Sequence, residues 1–101
     1  MRPVLHGDIV AAARVLFLTP EPERLVLCRR MIREAECAYR FYLRVGRPHP
    51  KWGSGSLMSA ALNRPAAPEP SLDNSAYCTC IELVLRELVR RRAELINPGR
   101  S

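Results

Sequence analysis

Residues 19–46, TPEPERLVLCRRMIREAECAYRFYLRVG, form the longest stretch of this chain that reads as one helix. Thr19 can accept a hydrogen bond from the first turn, and Pro20 suits the first helical position because a backbone donor there would be unpaired. Apart from one more proline in the first turn, no helix breaker precedes Gly46, which suits a left-handed cap. The sequence therefore predicts a long helix over about 20–45.

Apolar residues within this stretch recur at alternating spacings of three and four, which is the periodicity of a helix rather than a strand. At about 1.5 Å per residue the helix would be roughly 40 Å long, so its apolar side needs a long partner. The residues that form this seam are Leu25, Cys28, Ile32, Ala35, Tyr39 and Tyr42.

A second long amphipathic segment occupies the C-terminal part of the chain. Asp73 can cap a helix over about 74–96, and the Asn97-Pro98-Gly99 turn would end it. Leu85 flanks the apolar seam of this segment. The seam consists of Tyr77, Ile81, Val84, Leu88 and Leu95.

Turn signals divide the rest of the chain into short elements. Asp8 predicts the start of a short helix over about 8–17, and Ser56 predicts another over about 56–62. Residues 46–55 are rich in glycine and proline and form a loop, while residues 63–72 are a proline-rich connector.

These elements predict an all-α fold in a single domain that spans residues 1–101. We expect a small helical bundle in which the two long helices pack antiparallel and the two short helices cover the open side. A chain of 101 residues with 48% hydrophobic residues is long and apolar enough to bury a modest core.

The composition is strongly basic, with a net charge of +6 and a pI of about 9.8. Only one of the 16 basic residues is a lysine, Lys51, and this arginine bias is typical of GC-rich genomes. Arginine also binds carboxylates and phosphates through its planar fork, so an acidic partner is consistent with the composition. The sequence contains no secretory signal and no apolar run of membrane-spanning length, which predicts a cytoplasmic protein with reduced thiols.

The potential ligands and nucleophiles do not form a recognisable reaction centre. Cys78 and Cys80 are two apart, so on a helix their thiols would point about 200° apart. Cys28 belongs to the apolar seam, and Cys37 should be exposed. His49 is flanked by prolines near the only tryptophan, which favours a packed turn over a catalytic base. We therefore expect no metal, no cofactor and no enzymatic activity.

Two groups of residues are candidates for binding a partner. The first is the set of arginines on the long helix, where Arg33 or Arg40 could instead pair with Glu34 or Glu36 at helical spacing. The second is the segment around Trp52, which could also pin its loop to the core. The candidate residues are Arg29, Arg30, Arg33, Arg40 and Arg44, together with Trp52, Leu57 and Met58.

Three segments, MRPVLHGDIVAAARVL, HPKWGSGSLMSAAL and APEPSLDNSAYCTCIELVL, together resemble a family of small alphaproteobacterial proteins without an assigned activity. The resemblance spans most of the chain. It implies a bacterial, cytoplasmic setting and agrees with the arginine bias, but it transfers no catalytic or binding residue.

The pattern as a whole favours a non-catalytic protein-binding module, either an accessory subunit of a larger assembly or a regulatory adaptor. The alternative is a basic nucleic-acid-associated protein that binds phosphates through arginine-rich helix faces. No nucleic-acid recognition module is visible in the sequence, and stacking aromatics are few, which weighs against the alternative.

Overall fold

The computed structural model describes residues 1–96, which contain four helices and no strand. The helices are α1 His6–Phe17, α2 Glu21–Val45, α3 Leu57–Ala61 and α4 Ser75–Ile96. One isolated bridge joins His49 and Gly53 in the loop after α2. The all-α prediction is confirmed, whereas the predicted stop of the last helix at Asn97-Pro98-Gly99 lies outside the described residues.

Helix α1 begins two residues earlier than predicted, because Asp8 is not its N-cap. Leu5 occupies the cap position, and Asp8 in the first turn accepts from the Leu5 backbone N–H at 2.8 Å. The other carboxylate oxygen of Asp8 accepts from the backbone N–H of Met58 at 2.9 Å, so this buried side chain also ties α3 to α1.

The joint between α1 and α2 also differs from the prediction. Thr19 caps no helix; its hydroxyl instead donates to the Val15 carbonyl at 2.9 Å and closes the end of α1. Pro20 is the N-cap of α2 rather than its first helical residue. Arg24 reaches back and donates to the carbonyls of Leu16 and Thr19, which holds the two helices in a tight reversal.

The two caps predicted around the loop are observed. Gly46 ends α2 in the left-handed conformation with φ 79°, and the Ser56 hydroxyl accepts from the Ser59 backbone N–H at the start of α3. The segment Gly53-Ser54-Gly55-Ser56 is thus a capped turn. At its end, the Gly55 carbonyl accepts from the backbone N–H of Arg2 at 2.9 Å.

The connector after α3 determines where α4 begins. Ala67 exchanges two hydrogen bonds with Arg14, one to its backbone carbonyl and one from its side chain, so the connector is fastened beside the end of α1. Helix α4 starts nearby, with the Tyr77 ring edge-on to Phe17 at 6.1 Å. Its cap is Asn74, whose side chain accepts from the Tyr77 backbone N–H, and not the predicted Asp73.

The long helices do not form the predicted antiparallel pair. Where they meet, Arg29 of α2 contacts Glu87 of α4 and Glu36 contacts Arg91, so residue numbers rise together along both helices. The reason is the connector, which returns the chain to the end of α1 before α4 begins. The short α1 makes the more extensive contact with α4 and lies at the centre of the fold.

The core is built around the alanine-rich face of α1. Ala12, Ala13 and Leu16 are fully buried against residues of every other helix, including Met31, Leu57 and Val84. Leu57, Ala60 and Ala61 of α3 are buried in the fold. Three residues assigned to the apolar seams or their flank are instead exposed: Leu25, Leu85 and Leu95. Over residues 1–96, no helix has the length and apolar character needed to cross a membrane.

Candidate functional site

The outer surface of α2 carries a regular line of arginines, which we call the basic stripe. It consists of Arg30, Arg33, Arg40 and Arg44, all exposed. With Cys37 they recur at spacings of three, four, three and four, so they share one face of the helix. From the first to the last arginine the stripe is roughly 21 Å long at about 1.5 Å per residue.

The sequence of α2 explains why the basic stripe faces outward. The opposite side of the helix is lined by small and medium apolar residues that are buried in the fold, among them Cys28, Ile32, Ala35 and Ala38. Because burying an unpaired guanidinium would be costly, this apolar side determines the orientation of the helix about its axis.

Arg29 is separate from the basic stripe and has a structural role. Its Nε donates to Glu87 Oε1 at 2.7 Å, and Arg90 donates to the same oxygen at 2.9 Å. Burial alone would raise the pKa of Glu87, but the hydrogen bonds from Arg29 and Arg90 outweigh it, so its pKa is lowered. Glu87 is therefore a buried carboxylate anion that joins α2 to α4.

A second buried carboxylate, Glu36, makes a similar link one turn further along. Arg91 of α4 donates to both of its oxygens, at 2.9 Å from Nη2 to Oε1 and from Nε to Oε2. Arg91 also contacts Glu94, which pairs with Arg90, so the two links form one network. The hydrogen bonds to Glu36 raise the pKa of Arg91.

These networks overturn the predicted ion pairs within α2. Glu36 is taken by Arg91, and Glu34 pairs with Arg64 at 2.8 Å. Neither carboxylate pairs with Arg33 or Arg40. Among the residues that the structure describes, no member of the basic stripe has an ion-pair partner.

An apolar notch adjoins the N-terminal end of the basic stripe. Its volume is about 320 Å³, and exposed Val26 lies one helical turn before Arg30 on the same face. Arg30 belongs to both features, so the notch and the stripe form one continuous surface. The notch is lined by Thr19, Pro22, Glu23, Val26, Leu27 and Arg30.

The residues of the second predicted group differ in their exposure. Leu57 is only 1% exposed and packs in the core, which excludes it as a contact for a partner in this fold. Met58 is partly exposed, but its backbone is tied to Asp8. Trp52 stacks on His49 at 4.7 Å, and His49 lies edge-on to Phe41, so the tryptophan pins its own loop to α2.

The histidines and cysteines are dispersed in the fold. The His49 Nδ1 accepts from the backbone N–H groups of Lys51 and Trp52, which is a role within the turn. Cys28 is buried, as predicted, and burial raises its pKa to about 12. Cys37 is half-buried rather than exposed. Within residues 1–96, no group of three or more histidine, cysteine or acidic side chains could hold a metal ion.

The comparisons with known proteins give a family but no activity. The model of a domain of unknown function, DUF7742, matches residues 2–88. No curated protein and no solved structure matches the chain.

Proposed function

We propose that this chain, a member of the DUF7742 family, is a non-catalytic protein-binding module that acts as an accessory subunit or a regulatory adaptor. Its binding surface is the basic stripe of α2 together with the adjoining notch. The setting we propose is the bacterial cytoplasm that the sequence resemblance implies.

The availability of the arginines supports this proposal. Buried Glu36 and Glu87 are neutralised by arginines of the interhelical network, while the four guanidinium groups of the basic stripe have no carboxylate within the described residues. Guanidinium groups bind carboxylates through paired hydrogen bonds. A row of them roughly 21 Å long therefore matches an acidic segment of comparable length.

The apolar notch is the feature that favours an acidic protein over a nucleic acid as the partner. Val26 and Leu27 place apolar surface directly beside Arg30, so the partner should bring an apolar anchor followed by acidic residues. A phosphate backbone has no apolar group for the notch. An acidic amphipathic segment satisfies both halves of the surface, which is why we favour a protein partner.

A synthetic helical peptide tests this proposal. The peptide carries one leucine anchor followed by glutamates at spacings of three and four, and binding is measured by fluorescence anisotropy at several salt concentrations. Arg33→Glu with Arg40→Glu should weaken binding about tenfold or more, because contacts between like charges replace attractive ones. The matched control, Lys51→Glu with Arg86→Glu, has the same net charge but leaves the stripe intact and should bind like wild type.

Val26→Ser distinguishes the two classes of partner. It should weaken binding of the leucine-anchored peptide about fivefold, since apolar contact in the notch is lost. It should leave binding to a 20-base-pair DNA duplex unchanged. Tight, steeply salt-dependent binding to duplex or single-stranded DNA without binding of the peptide would favour the nucleic-acid alternative and overturn the proposal.

A further inference from the structure

The side of α4 that faces away from the core carries a regular apolar pattern. Its exposed aliphatic residues include Leu85, Val89 and Ile96, which are 50%, 70% and 70% exposed. They recur with Cys78, Glu82 and Arg92 at alternating spacings of four and three, the seam of a coiled coil. We call this set the α4 outer face: Cys78, Glu82, Leu85, Val89, Arg92 and Ile96.

This face also forms one wall of a groove on the described residues. The groove has a volume of about 540 Å³, and its other wall is the start of α1, where Val4, Leu5 and Ile9 lie. Leu5 is itself exposed. A contiguous aliphatic surface of this kind is typical of an interaction site rather than of a free monomer surface.

We propose that the α4 outer face binds the same face of a second copy of this chain, with the two α4 helices antiparallel about a twofold axis at the level of residue 87. In that arrangement two residues face each other across the twofold axis when their residue numbers add up to 174. Leu85 then packs on Val89 of the second copy, Glu82 faces Arg92, and Cys78 lies against Ile96. The symmetry makes each of these contacts twice.

The charges on the face select this occupant and this direction. Glu82 and Arg92 form no ion pair inside the part of the chain that the structure describes, so both are available to a second copy. Parallel helices would instead place Glu82 on Glu82 and Arg92 on Arg92, which is repulsive. Arg86 lies at the edge of the face, one helical turn after Glu82. The negative charge of Glu82 offsets the positive charge of Arg86.

This inference goes beyond the proposed function, because it concerns a different helix. The basic stripe lies on α2 and takes an acidic partner, whereas the α4 outer face is complementary to itself. Failure of one proposal therefore leaves the other standing.

Charge reversal tests the dimer in the full chain. Sedimentation equilibrium should show a dimer of twice the chain mass of 11.4 kDa. Glu82→Arg alone, or Arg92→Glu alone, should weaken dimerisation about tenfold or more, because each creates two contacts between like charges. Both positions are exposed, so circular dichroism should show unchanged helix content and thermal unfolding.

Mixing the two single variants gives the decisive result. The mixture should form a heterodimer of near wild-type affinity, since the arginine introduced at position 82 of one chain then faces the glutamate introduced at position 92 of the other. The second pair of positions keeps its native residues, Glu82 facing Arg92. The matched control, Glu69→Arg in the connector, should dimerise like wild type. A wild-type chain that stays monomeric up to millimolar concentration would overturn the proposal and leave the face to a different protein. So would a dimer that the single reversals do not weaken.

Discussion

Gly55 and Gly46 share a positive φ, +100° and +79°, but differ in their surroundings. A Cβ at residue 55 would lie 2.6 Å from the Tyr39 Cα, whereas nothing lies within 4 Å of one at residue 46. Gly46→Ala should therefore cost only the left-handed conformation, about 1 kcal/mol. Gly55→Ala should cost about 3 kcal/mol or more, because the loop before α3 must also move away from α2.

Urea unfolding of the two glycine variants measures this difference. A loss of unfolding free energy that is equal for both variants would mean that the loop before α3 moves away from Tyr39 at no cost. The sequence identifies Gly46 as a cap from its position at the end of a predicted helix. It gives no sign that Gly55 lies close to Tyr39, so neither distance could be derived from the sequence.

The caps show which single-residue features the sequence predicts. Gly46 and Ser56 are observed at their predicted positions, because each acts on the helix adjacent to it in the chain. Asp8 differs, since its second oxygen binds the backbone of Met58, fifty residues away. Asp73 and Asn74 are both good caps by composition, and only the geometry of the connector selects Asn74.

At the scale of helices, the contact between α2 and α4 depends on Glu87. Glu87→Gln should lower the free energy of unfolding at pH 7 by about 1–3 kcal/mol, because the oxygen that accepts from Arg29 and Arg90 loses its negative charge. Glu82→Gln, on the exposed side of α4, serves as the control and should change the stability of the monomer little.

The pH dependence of this effect follows from the lowered pKa of Glu87. A carboxylate with a lowered folded-state pKa stabilises fully above its unfolded pKa, about 4.3, and less as pH falls through the folded value. The stability difference between wild type and Glu87→Gln should thus be constant near pH 7 and shrink below about pH 4. Denaturant titrations from pH 7 to pH 2 check this, and a difference independent of pH would contradict the role assigned to the carboxylate.

Helix periodicity predicts four elements, but it does not predict how they pack. The predicted seam of α4 placed Tyr77 and Val84 in the core, where they are observed. Leu95 was assigned to the same seam and Leu85 to its flank, yet both are exposed. Buried Glu36 and Glu87 were not predicted, because a glutamate on a helix reads as a surface residue unless its arginine partners on another helix are known. The outward direction of the basic stripe was predictable from its apolar opposite side.

At the scale of the whole molecule, the connector determines which helices pack against each other. Two long amphipathic helices suggest a mutual antiparallel pair, yet α4 packs mainly on α1, and the contact of α1 with α4 is the largest between any two helices of the described residues. The hydrogen bonds between Arg14 and Ala67 return the chain to the end of α1, so α4 then runs antiparallel to α1 and in the same sense as α2. Such a long-range contact has no local sequence signature.

This central position of α1 predicts that the core opens as one unit. Cys28 on α2 and Cys80 on α4 are both buried in the core cluster that contains Leu16, and burial raises the pKa of both thiols. In a chain that carries Cys37→Ser and Cys78→Ser, only these two thiols remain. Since the thiolate is the reactive form, labelling of the native protein requires opening of the core.

We expect Cys28 and Cys80 to be labelled at the same slow rate, measured by mass spectrometry of peptides after iodoacetamide treatment. Gly55→Ala should accelerate both by one common factor that matches its loss of unfolding free energy, because labelling follows the population of the open form when reclosing is fast. Faster labelling of Cys80 alone would show that α4 detaches from α1 while α2 stays packed, and that α1 does not couple the two long helices.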